Sequence, residues 1–126
     1  MAKTAAQKLG IKPGNRVYAI NAPAGYAQLI GELPAGASLT DAGPADVVHL
    51  FAHDLADLDR HAKAAIDALA PGGLFWISYP KGGRTDIRRD NLMLALVPPG
   101  WRGVSLVAVD ETWSAARFRP LAEIGR

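Results

Sequence analysis

Residues 46–80 constrain the fold more tightly than any other part of the chain. "DVVHLFA", Asp46 to Ala52, is apolar without interruption except at His49, which suits a strand buried on both faces of a parallel sheet. A helical pattern follows at once. Leu55, Leu58, Ala62, Ala65, Ile66 and Leu69 form one apolar stripe, Asp54 is placed to accept orphan amide hydrogens at its start, and Pro71-Gly72-Gly73 is placed to stop it. "LFWISYP" then supplies another buried strand. Two such strands joined by a helix make a right-handed crossover, and a sheet of this kind needs helices on both faces.

The rest of the chain extends the alternation. Thr4 to Leu9 predicts about two turns of helix ended by Gly10, and "IKPGNR" predicts a turn. "RVYAI", Arg16 to Ile20, reads as a strand; "GYAQLIGEL" places Tyr26, Leu29, Ile30 and Leu33 at helical spacing. Ser38 to Thr40 offers a brief edge strand, broken by "DAGP". After the loop "KGGR", Thr85 or Asp86 is placed to cap a helix running to about Val97, where "PPG" ends it. "GVSLVAV" and "WSAARFRPL", separated by Asp110-Glu111-Thr112, read as a closing hairpin. The pattern predicts one Rossmann-like α/β domain over residues 1–126, a three-layer fold whose sheet is mostly parallel with an antiparallel C-terminal hairpin.

Composition narrows the chemistry. With no cysteine, disulfides, thiol catalysis and cysteine-ligated zinc are excluded, and His49, His53 and His61 are the only imidazoles, so no metal site is assigned. No stretch approaches the roughly 20 apolar residues that span a bilayer, and the start of the chain lacks an apolar signal core; a cytoplasmic location is expected, with no membrane association. The net charge of +2 comes from residues 81–126, with 8 basic and 5 acidic side chains against 6 and 7 in residues 1–80. The arginines there (Arg84, Arg88, Arg89, Arg102 and Arg119) are interrupted by Asp86, Asp90, Asp110 and Glu111, which argues for a solvated surface and against nucleic acid.

Across most of its length the chain resembles the class I S-adenosylmethionine-dependent methyltransferases. The resemblance is carried by "LGIKPGNRVYAI" and "ADVVHLFAHDLADLDRHAKAAIDALAPGGLFWISYP", above all by "LAPGGLFWIS", which is similar to the "L-K-P-G-G" entry to a central strand in those enzymes. "KLGIKPG", "NAPAGY", "DVVHLF", "PGGLFWISYPK" and "VDETWSAARF" together resemble a family of small bacterial proteins of unknown function with a methyltransferase-like fold. The resemblance implies a reduced methyltransferase topology whose last strand runs antiparallel to the others.

Residue by residue, the same resemblance argues against the cofactor. The methyltransferase turn after the first strand has an acidic residue and a G-x-G-x-G pattern; here Ala19 takes the acidic position, and Asn21, Pro23 and Gly25 take the three glycines. Pro23 fixes φ near −65° and has no amide hydrogen, whereas Asn21 is a milder change because asparagine tolerates left-handed backbone. The segment between Asp41 and Asp46 is too short for the further helix, strand and adenine-cradling loop of those enzymes. Asp41 matches the acid that binds the cofactor ribose, though an ordinary solvated turn aspartate explains it as well.

Ligands of open α/β sheets bind beyond the carboxyl ends of the strands. The expected topology brings Asn21, Tyr26, His53, Lys81, Asp110, Glu111 and Trp113 to that rim, with Gly25 in the turn and Asp41 beyond the second strand. Each has a duller explanation. His53 reads as an exposed residue before a helix cap, His49 as a core imidazole bonded to a neighbour and His61 as a helix flank, so no histidine catalysis is indicated. Lys81 either contacts a ligand or pairs with Glu111, and "KGGRT" either receives an anion through its amides or makes a turn. Asp110 is expected to bond the turn amides and Glu111 to pair with Arg117 or Lys81; Trp113 and Phe118 are left open between core and partner surface.

The expected function is therefore binding of a small ligand or protein partner at the carboxyl rim, with no cofactor and no catalytic residue. The alternative is a minimal S-adenosylmethionine-dependent methyltransferase with a nonstandard cofactor turn, using Asp41 as the ribose acid and Lys81 or Glu111 near the substrate. Whether the chain is an enzyme is undecided at this level; any activity would be methyl transfer.

Overall fold

The structure, a computed structural model, describes residues 4–123. Its elements run α1 (Ala5–Lys8), β1 (Arg16–Ile20), α2 (Tyr26–Ile30), β2 (Ser38–Thr40), β3 (Ala45–Phe51), α3 (Leu55–Ala68), β4 (Leu69–Pro80), α4 (Arg89–Ala95), β5 (Trp101–Ala108) and β6 (Trp113–Pro120), closed by a 3-10 turn at Leu121–Glu123. The strands form one sheet in the order β2-β1-β3-β4-β6-β5. The β1–β2, β1–β3 and β3–β4 pairs are parallel, and β6 is antiparallel to both β4 and β5, so β6 alone runs against the sheet. This is the α/β architecture, with its antiparallel C-terminal hairpin, expected from the alternation. β2 forms the sheet edge because the chain passes from Thr40 to Ala45 without a further helix or strand.

The period-2 alternation of β3 sorts its side chains onto two apolar cores. Val48 and Leu50 meet Phe75 and Ile77 of β4 under Leu58, Ala62 and Ala65 of α3 and Leu92 of α4. Val47 and Phe51 face the opposite way, with Val17, Trp76 and Ala115, and are covered by α1 and α2 through Ala6, Tyr26 and Ile30. Both faces are buried, which is why "DVVHLF" carries no alternation of polar residues.

The bounds of α2, α3 and α4 differ from the sequence expectation. α3 ends at Ala68, ahead of Pro71-Gly72-Gly73, because Leu69 turns extended and pairs with Ala45 to begin β4. α4 starts at Arg89, with Arg88 and Asn91 at its cap, and ends at Ala95. Thr85 and Asp86 are used elsewhere: the Ile87 amide donates to Thr85 Oγ1 at 3.1 Å, and the Leu55 amide donates to Asp86 Oδ1 at 2.8 Å, so Asp86 caps α3. α2 stops at Ile30, where Gly31 takes φ 83°, leaving Leu33 outside the helix but packed on the same core.

Candidate functional site

The carboxyl rim is assembled from the residues that follow each parallel strand and from the β5–β6 turn. Strand order reverses between β1 and β3, since α2 leads from β1 to β2 on one side while α3 leads from β3 to β4 on the other. Asn21 ends β1 at this crevice with φ 58°, the left-handed conformation that a small polar side chain tolerates. Gly25, φ 81°, begins α2. Asn21 Nδ2 donates across the crevice to the Phe51 carbonyl at 2.9 Å and to Asp57 Oδ2 at 3.2 Å.

Asp57, in the first turn of α3, is the hub that the sequence reading missed. Its Oδ2 also accepts from the His53 amide at 3.1 Å and stands 2.9 Å from His53 Nδ1, while Arg60 donates to Oδ1 at 2.7 Å. The amide of Asp57 itself is held by Asp54 Oδ1 at 2.8 Å, the helix cap expected from the sequence. The backbone hydrogen bond from His53 holds the Asp57 carboxyl below the usual range, aided by the His53 ring and the Arg60 charge, against a smaller opposing effect of burial. The available signal was the spacing His53-x-x-x-Asp57, which puts two polar side chains one helical turn apart.

Trp113 lies against this pair, its ring centroid 5.3 Å from that of His53 at 76°. Only 7% of Trp113 is exposed, which assigns it to the core and leaves one edge to the rim. Behind it, Phe51 touches Trp113 at 4.9 Å and His49 at 4.3 Å, and Tyr26 completes the aromatic series. Tyr26 is buried; its hydroxyl bonds His49 Nδ1 at 2.8 Å, and His49 Nε2 bonds Ser78 Oγ at 2.6 Å. His49 is thus the satisfied core imidazole expected from the sequence, and burial pushes its pKa down to about 3.

The β5–β6 turn is self-contained. Asp110 Oδ1 accepts from the Thr112 and Trp113 amides, both at 2.8 Å, as expected. Among the described residues no ion pair joins Glu111 to Arg117 or Lys81, so that expectation is corrected: Glu111 points to solvent at the turn apex, while Arg117 sits mid-strand on β6. Lys81 is tied to the turn by its amide, which donates to the Thr112 carbonyl at 2.8 Å. Asn21, His53, Asp57 and Trp113 therefore touch one another in series, with Lys81, Asp110 and Glu111 beside them. Tyr26 lies beneath, and Asp41 stands exposed beyond β2, with β1 between it and His53. Hollows of about 500, 420 and 580 Å³ open elsewhere, between α4 and β5, at the amino ends of the strands and between α3 and α4.

No protein-family model matches the chain, and no curated protein matches its sequence. Solved structures do share its fold. DhpI in complex with SAH superposes with a TM-score of 0.59 at 17% identity, covering 92% of this chain and 82% of that one. The glycopeptide N-methyltransferase MtfA gives a TM-score of 0.62 at 12% identity over 91% of this chain and 87% of that one. The ribosomal protein L11 methylase of Lactobacillus delbrueckii subsp. bulgaricus gives 0.60 at 9% identity, covering 92% and 74%. The chain has the Rossmann-like fold of the class I S-adenosylmethionine-dependent methyltransferases.

Proposed function

We propose that the carboxyl rim binds S-adenosylmethionine and that the chain is a minimal methyltransferase. The observation that carries this reading is the turn after β1. Asn21 at φ 58° and Gly25 at φ 81° keep left-handed backbone at the first and third positions of the glycine pattern, at the crevice where strand order reverses. Pro23 removes one amide donor without straightening the turn. The shared fold with DhpI, seen with SAH and in a DhpI-SAM-HEP complex, supports the same reading. Asp41, at the end of β2, is the candidate for the ribose hydroxyls.

The test is calorimetric titration with S-adenosylhomocysteine, the product form of the cofactor. Micromolar binding, about −8 kcal/mol, is expected, weakened about tenfold by Asp41→Ala. No heat at millimolar ligand, with an unshifted melting temperature, would refute the reading.

A specific observation favours a second reading. The Asn21 amide occupies the floor of the crevice through its bonds to Phe51 and Asp57, and Pro23 donates nothing to a ligand. In that reading the rim holds another small ligand or a protein partner and transfers no methyl group.

A further inference from the structure

We infer that His53, oriented by Asp57, is the proton acceptor at the rim, which makes the methyl-accepting group an N–H or O–H that has to lose its proton. The inference rests on the cofactor reading above and adds a catalytic residue and a substrate class to it. Its basis is the geometry of one carboxylate oxygen. Asp57 Oδ2 faces three nitrogens, the His53 amide, His53 Nδ1 and Asn21 Nδ2, at 3.1, 2.9 and 3.2 Å. The backbone amide and the side-chain amide can only donate, and the carboxyl, held ionised, can only accept. Nδ1 of His53 therefore carries the ring proton, and in the neutral ring Nε2 is left as a bare acceptor.

Nothing among the described residues takes up Nε2. The side chain of His53 is 55% exposed while that of Asp57 is 16% exposed, so the orienting carboxylate is covered and the basic nitrogen is open. Edge contact with Trp113, itself packed on Phe51, limits rotation of the ring. This base–orienter arrangement stands directly after β3, on the far side of the strand-order reversal from the Asn21 turn. The two halves of a transfer site, one for the donor and one for the acceptor, thus face each other across a single crevice.

The step balances as follows. As the acceptor nitrogen or oxygen bonds to the methyl carbon of the sulfonium donor, the carbon–sulfur electron pair returns to sulfur. The acceptor's proton passes to His53 Nε2, and the resulting imidazolium is stabilised by the Asp57 carboxylate. Arg60, on the other carboxylate oxygen, keeps Asp57 from taking the proton itself.

Two measurements on the intact chain test this. Long-range nitrogen–proton NMR of the histidine rings should find neutral His53 protonated on Nδ1, and Asp57→Ala, which leaves Nδ1 without its acceptor, should lose that preference. A wild-type ring protonated on Nε2 overturns the inference without need of a variant. Carbethoxylation by diethyl pyrocarbonate, resolved by mass spectrometry, should be slowed about tenfold at His53 by S-adenosylhomocysteine at ten times its Kd, with His61 on the outer part of α3 unaffected. Binding without protection of His53 overturns this inference and leaves the cofactor reading standing. Absence of binding removes both.

Discussion

Acidification should destabilise this protein through His49 before its carboxylates protonate. The imidazole is 1% exposed, with both nitrogens engaged by Tyr26 and Ser78, and burial lowers its pKa to about 3 against an ordinary value of 6.5. A depressed histidine pKa means that the unfolded chain binds a proton that the folded chain refuses. Stability is therefore full above about pH 6.5 and falls as pH drops towards about 3, by about 1.4 kcal/mol per unit. Between about pH 7.5 and 5 the loss sums to about 2 kcal/mol. The lowered carboxyl of Asp57 acts in a lower window, since its contribution begins to fail only near the unfolded carboxylate value of 3.8. Urea unfolding followed by tryptophan fluorescence reads the effect, and with a slope of about 2 kcal/mol per molar the midpoint should move down by about 1 M. The His49→Gln variant is expected to be less stable at neutral pH and to lose most of this pH dependence. A wild-type midpoint that is flat over this range, or a slope that survives the substitution, would refute the argument.

Two further substitutions test the boundaries of α3. A Cβ at Gly43 would lie 2.6 Å from Ala68 Cα and 2.7 Å from its carbonyl oxygen, so Gly43→Ala should cost about 1–3 kcal/mol in urea titration, because backbone on both sides has to move. Asp86→Ala should cost about 1 kcal/mol and raise amide exchange at Leu55, since a carboxylate from outside the helix caps its first turn.

The strands were legible because their chemistry is local. β1 and β2 have the bounds that "RVYAI" and "SLT" suggest, and the buried run of β3 announces a strand covered on both faces. The errors fall where distant backbone decides. Nothing near Ala68 says that Leu69 will pair with Ala45, so Pro71-Gly72-Gly73 looks like the helix stop, when it lies within β4. Asp86 looks like the cap of the helix that follows it, yet its carboxylate is spent on α3, 31 residues back along the chain. At the rim, the presence of His53 and Trp113 on one edge follows from the expected topology, whereas Asp57 was absorbed into the polar face of an amphipathic helix. Its role appears only when β1 delivers Asn21 to the same oxygen.

Asn21 is where the two functional readings make opposite predictions. Its side chain joins the β1 turn to the end of β3, satisfying the Phe51 carbonyl at 2.9 Å. If the amide merely plugs a disused crevice, Asn21→Gly keeps the left-handed backbone that φ 58° requires, opens the floor and leaves S-adenosylhomocysteine binding unchanged or tighter. If the amide is part of the cofactor site, it fixes the distance between the turn and the His53–Asp57 pair, and its removal loosens both halves. Losing one hydrogen bond to a neutral and one to a charged acceptor costs about 2–3 kcal/mol at most, some of which is recovered by water at the part-buried site. About tenfold weaker binding is the expected result, with the His53 tautomer unchanged, because Asp57 Oδ2 keeps the two donors of His53. Asn21→Gly with tighter binding would place the amide among the obstacles to the cofactor and favour the reading in which the rim serves another ligand.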